Sequence, residues 1–122
     1  MSRHPERAQD YLEHILEALE RIQRYTVGKT SDEFIASTLL QDGVLRNLSI
    51  IGEAAHRLLA EAPEFVAMHP EIPFAKIYAT RNRITHAYEE VDTEIVWNLV
   101  LQDVPALQQV IAVALNEFNE KG

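Results

Sequence analysis

Apolar residues recur at alternating steps of four and three along almost the whole 122-residue chain, a period that fits helices and not strands. Ala8, Leu12, Ile15, Leu19, Ile22 and Thr26 form one stripe, and Arg, Glu and Gln fill the other faces. Val27-Gly28-Lys29-Thr30 stops this helix, with Gly28 suited to the cap. Ser31, followed by Asp32 and Glu33, reads as the N-cap of the next helix with acids in its first turn. Leu40, Val44, Leu48, Ile51, Ala55 and Leu58 continue as a second stripe, with Gly43 marking a break or a close approach near its start. Pro63, Pro70 and Pro73 punctuate the connection that follows, and Pro73 suits the first position of a third helix. Phe74, Ile77, Arg81, Ile84 and Tyr88 run down that helix. Asp92 and Thr93 offer a cap for the last one, where Val96, Leu99, Val100, Leu107, Val110, Ile111, Ala114 and Phe118 face one way. Pro105 lies inside this run and should kink or split it.

No β-branched strand runs with glycine-rich turns interrupt the pattern. The expected fold is all-α: an antiparallel up-and-down bundle of four main helices, with room for a short fifth, in one domain over residues 1–122. At 47% hydrophobic and 25% charged, the chain has enough apolar material to offset chain entropy, which excludes intrinsic disorder. No apolar run approaches the roughly 20 residues that span a membrane, and no charged-then-apolar leader opens the sequence. Cysteine is absent, which excludes disulfides, thiolate metal sites and cysteine nucleophiles. The expected compartment is the cytoplasm.

The net charge of −8 is uneven. Residues 1–30 balance, 31–71 carry −5 and 89–122 carry −6, whereas 72–88 hold Lys76, Arg81 and Arg83 with no acid. An acidic chain is not a general nucleic-acid binder. A short basic island within it can hold a phosphate locally, or it can be a solvated turn.

Arg81 is the anomaly, because Ile77 and Ile84 flank it at core spacing. A guanidinium there must pair with an acid such as Glu53, snorkel to the surface, or line the seam of a dimer. Asn82 and His86 share a ridge four residues apart. Arg81 and His86, five apart, sit about 140° from each other around an ideal helix. They converge only if the helix frays near His86 or a second copy faces the first. By itself His86 reads as a helix-end cation favoured by the dipole. Together, an arginine that grips phosphate and a histidine that moves protons meet the needs of metal-free RNA cleavage by the ribose 2′-hydroxyl.

The octet Arg81-Asn82-Arg83-Ile84-Thr85-His86-Ala87-Tyr88 has the pattern R-x-x-x-x-H-x-Y and resembles the signature of the HepT toxins, a branch of the HEPN superfamily. LRNLSIIGEAA at 45–55, IPF at 72–74 (with phenylalanine for the usual tryptophan) and VDTEIVWNLVLQDVPAL at 91–107 resemble further segments of that family, in order. The resemblance implies a HEPN-like homodimer acting as a metal-independent ribonuclease toxin. Arg81 and His86 would be its catalytic pair, lining the dimer cleft, with Asn82 as their polar neighbour. Tyr88 matches the tyrosine that a partner minimal nucleotidyltransferase of the MntA type modifies with AMP. AMP there would set an anionic phosphate beside Arg81 and compete with RNA. ATP and Mg²⁺ would belong to the partner's reaction, and this chain would need no cofactor. The competing readings are a non-catalytic HEPN-like module that binds nucleotides or its partner, and a structural dimer with Arg81 in a buried ion pair.

Other polar groups read as ordinary. Glu53-Ala54-Ala55-His56 matches one half of a di-metal helix motif, but no second Glu-x-x-His pair exists. His14, between Glu13 and Glu17, lacks ligand spacing. Trp97 reads as a packing residue.

Overall fold

The computed structural model describes the backbone of residues 5–86 and 92–121, with side chains for 7–83, 92–118 and 120. Most of these residues are helical, and none lies in a strand. In chain order they form α1 (Pro5–Thr26), α2 (Ser31–Ala36), α3 (Thr38–Glu61), α4 (Pro63–Met68), α5 (Phe74–His86), α6 (Thr93–Asn98), a π-helical turn (Leu99–Asp103) and α7 (Val104–Lys121). The all-α expectation holds, and the short pieces α2, α4 and α6 exceed the single short helix allowed for.

The stripes read from the sequence bury as a core. Leu12, Ile15, Leu19 and Ile22 of α1 meet Val44, Ile51 and Leu58 of α3 and Ile111 of α7, all at 3% exposure or less. Side-chain pairs set the direction of packing. Arg7 and Tyr11 at the start of α1 reach Glu61 at the end of α3, at 3.0 and 2.9 Å. Arg21, late in α1, donates to Asn47 Oδ1, early in α3, at 2.8 Å. The two helices are therefore antiparallel. α5 packs antiparallel on the outer side of α3, and α7 packs on α1. α5 and α7 face each other across a cavity of about 310 Å³.

Local signals explain most of the boundaries. Gly28 takes the left-handed conformation, φ +73°, that ends α1. The cap of α2 is Thr30 and not Ser31: Glu33 N–H donates to the Thr30 hydroxyl while the Glu33 carboxylate accepts from Thr30 N–H, a reciprocal capping box. Glutamate three residues after threonine satisfies two free donors, which Ser31 cannot do. Ser37, extended and capping α3 through Leu40 N–H, supplies the break that Gly43 had suggested. Gly43 serves the close approach instead, with the Tyr25 ring 3.3 Å from where a Cβ would stand. Pro73 stands one position ahead of the third long helix, its carbonyl accepting from Ile77 N–H. Asp92 caps α6 as expected, accepting from Glu94 and Ile95 N–H. Pro105 disturbs the last helix without splitting it: the run stays helical, and the turn before the proline widens to π, with Val104 N–H reaching Leu99 O.

The membrane expectation is qualified. The stretch Thr93–Phe118 is long and apolar enough to cross a membrane by length and composition. Gln and Asn break its apolar runs, but they carry no charge. In this fold Val96, Trp97, Val100, Val104, Ile111 and Ala114 of that stretch are buried in the core, and Trp97 stacks on Phe34, centroids 5.2 Å apart, as a packing residue.

Candidate active site

The start of α5 is held by a buried hinge. Phe74 is 1% exposed, and Phe65 packs against Phe74, Phe118 and the His69 ring. His69 sits between two carboxylates, with Nδ1 2.8 Å from Glu71 and Nε2 3.6 Å from Glu117. The hydrogen bond with His69 holds the Glu71 carboxyl below its ordinary range. His69 thereby ties the α4–α5 connection to α7, a role that no spacing in the sequence signals.

From that anchor α5 crosses α3 at closest approach where Arg81 meets Gly52. A Cβ built on Gly52 would overlap Arg81 Cβ and Cγ. The Arg81 stem thus lies on bare helix backbone, and its guanidinium projects past α3. Its side chain is 27% exposed, so it is neither a core group nor a free surface one. Nη1 donates to Asn82 Oδ1 at 3.2 Å, and Nη2 lies 3.9 Å from Glu53 Oε2. Nε is buried and has no hydrogen-bond partner. The pairing with Glu53 that the sequence allowed is present, but at 3.9 Å it is loose and leaves donor capacity for an anion.

Arg81 lines two depressions. One is the apolar cavity between α5 and α7, where Lys76 also lies and Ile51, Ile77, Val104 and Leu107 form the walls. The other, of about 400 Å³, opens on the far side of α3 and is polar. Arg83 is exposed, and two residues on from Arg81 it lies about 160° around the helix. The structure therefore brings Lys76 and Asn82 to Arg81 but turns Arg83 away. α5 stays helical through His86, so no break before that residue turns it toward Arg81 of the same chain. The His86 side chain and Tyr88 lie outside the described residues.

The half-motif Glu53/His56 is spent otherwise. The His56 ring stacks on Tyr78 of α5, centroids 4.5 Å apart, while Glu53 faces Arg57 at 3.5 Å. Among the described residues no three His, Asp or Glu side chains gather as metal ligands.

Gly52 went unread within the 45–55 segment. The signal was available: a glycine inside a helix costs about 0.5–1 kcal/mol relative to alanine, so one kept on a buried face marks a close approach.

The family model Ribonuclease HepT-like matches residues 15–114. A Methanocaldococcus jannaschii protein named "Gamma-glutamylcyclotransferase and putative RNase" is 37% identical over 90% of this chain, which spans only 48% of that protein's length. A Thermococcus cleftensis protein named "Probable ribonuclease HepT" is 37% identical, over 81% of this chain and 87% of its own. A "Putative RNase" of Caldanaerobacter subterraneus is 31% identical, over 88% and 93%. No solved structure matches the chain.

Proposed function

This chain belongs to the HepT-like ribonuclease family, and from that premise we propose that it is the ribonuclease toxin of a toxin–antitoxin pair, acting in the cytoplasm as a homodimer. The observation that carries the reading is the seating of Arg81: its stem is fixed on Gly52, its Nε is buried without a partner, and its partly exposed guanidinium end borders two depressions. A guanidinium needed only for an ion pair would engage its carboxylate more closely than 3.9 Å.

The chemistry follows from the side chains. His86 of one copy takes the proton of a ribose 2′-hydroxyl. The oxygen attacks the adjacent phosphorus and forms a new P–O bond as the bond to the 5′-oxygen breaks. That leaving oxygen takes a proton from His86 of the partner subunit. The products are a 2′,3′-cyclic phosphate and a 5′-hydroxyl, and no water is consumed. Arg81 holds the non-bridging oxygens as negative charge grows on them, and Asn82, accepting from Arg81 Nη1, fixes the guanidinium while its amide N–H groups stay free to donate. No metal or cofactor takes part in these steps. Control falls to an MntA-like nucleotidyltransferase that uses ATP and Mg²⁺ to place AMP on Tyr88, seven residues on from Arg81 in the sequence.

The test is growth on induction together with cleavage of RNA in EDTA. Arg81→Ala and His86→Ala are each expected to lower the cleavage rate by about 10²-fold or more and to abolish toxicity, and the wild-type product should carry the cyclic end by mass. Cleavage or toxicity that survives both substitutions overturns the nuclease reading and leaves the non-catalytic module. Incubation with the partner enzyme and ATP should add AMP to the wild type and not to Tyr88→Phe, read by intact mass.

A further inference from the structure

The depression on the far side of α3 takes no part in the cleavage steps beyond sharing Arg81. It lies between α1 and α3, with Arg81 reaching in from α5. Three guanidiniums (Arg46, Arg57 and Arg81) line it with the Ser49 hydroxyl and His14, and Glu53 is its one carboxylate. In a chain of net charge −8 this is a local excess of positive charge. The arginines are not consumed by partners. Arg46 is exposed, and neither it nor Ser49 has a side-chain hydrogen bond or ion pair among the described residues. Arg57 is shared loosely between Glu53 at 3.5 Å and Glu61 at 3.6 Å. Glu53 therefore stands between Arg57 and Arg81 and holds both at the depression, each with donors left over.

We infer that this depression is a phosphate-binding subsite for the RNA strand that flanks the scissile bond. The inference rests on the ribonuclease reading, because it takes Arg81 as the point where the strand enters the reacting site. Arg46 and Arg57 are three turns apart on one face of α3, about 16 Å along its axis, so the row grips backbone over more than one nucleotide. Guanidiniums suit this task because their forked donors match phosphate oxygens. Such contacts read no sequence. They set position along the strand and make binding salt-dependent. The acidic remainder of the surface repels RNA elsewhere, which concentrates the strand on this one track.

The probe is a fluorescein-labelled 12-nucleotide oligouridine whose 2′-hydroxyls are methylated, so that it cannot be cleaved. Binding to the full chain is measured by anisotropy across a salt series, with cleavage kinetics of the unmodified oligomer alongside. Arg46→Ala is expected to weaken binding roughly 3- to 10-fold and to lower the slope of log affinity on log salt by about 0.7 to 1. It should raise KM for cleavage and leave kcat unchanged. Arg46→Ala/Arg57→Ala should roughly double the change in slope, Arg46→Lys should keep the wild-type slope, and Arg24→Ala, at the end of α1, should change nothing. Wild-type affinity and slope in both alanine variants overturn the subsite, and if the wild type still cleaves the unmodified oligomer the ribonuclease reading stands without it. A wild type that cleaves no RNA refutes that reading and this one together.

Discussion

Gly52 and Arg81 define each other. Alanine at 52 should gain about 0.5–1 kcal/mol of helix propensity in the absence of a neighbour. Here its methyl group would overlap the inner carbons of Arg81, which cannot swing aside as a side-chain tip can. Overpacking of this kind costs about 1–3 kcal/mol, so Gly52→Ala should destabilise the protein and displace the guanidinium, lowering cleavage as well. Urea denaturation gives the first effect and the RNA assay the second. The two residues should couple: Gly52→Ala should cost less in an Arg81→Gly background than in the wild type. Equal costs in both backgrounds would refute the contact. The same geometry explains why Arg81 defied a simple core-or-surface reading. Its carbons are packed like a core residue while its charged end reaches a cleft.

Among the helices, α2 shows how a short element persists where propensity alone would not sustain it. It has six residues, and the Thr30–Glu33 box satisfies its first donors. Thr30→Ala should cost about 1 kcal/mol in urea denaturation. The hydrogen bond from Thr30 N–H, and then that with its hydroxyl, hold the Glu33 carboxyl below the ordinary glutamate value. A lowered folded value means that its contribution is fully present above the unfolded pKa of about 4.3 and is lost as pH falls through the folded one. Stability measured from pH 6 down to pH 3 should therefore fall less steeply for Glu33→Gln than for the wild type. Parallel curves would show that the box carries no such linkage. The last helix makes the opposite point: Pro105 removes a donor, and the π turn at Leu99–Asp103 absorbs the fault without ending the rod.

For the molecule as a whole, the order α5–α3–α1–α7 leaves α5 with a single packed neighbour among the long helices and an open flank toward α7. A helix so placed can present one face to another copy, and a site completed across two chains must disappear when they separate. Specific cleavage activity should therefore fall on dilution in step with the dimer fraction measured by sedimentation. Activity that stays constant through dissociation would assign the site to one chain.

The sequence by itself determined the long helices, the Asp92 cap and the disturbance at Pro105, because these depend on groups within about four residues of one another along the chain. It also marked Arg81 as out of place, since a charge at core spacing is visible in the period alone. Only the tertiary structure decided that Gly52 makes room for Arg81, that His69 pins the start of α5 to α7, and that Arg46, Arg57 and Arg81 open on one depression. Those meetings join residues distant along the chain, and they depend on how closely and at what height the helices cross. That is set by side-chain volumes across a whole packed face, which no local period encodes.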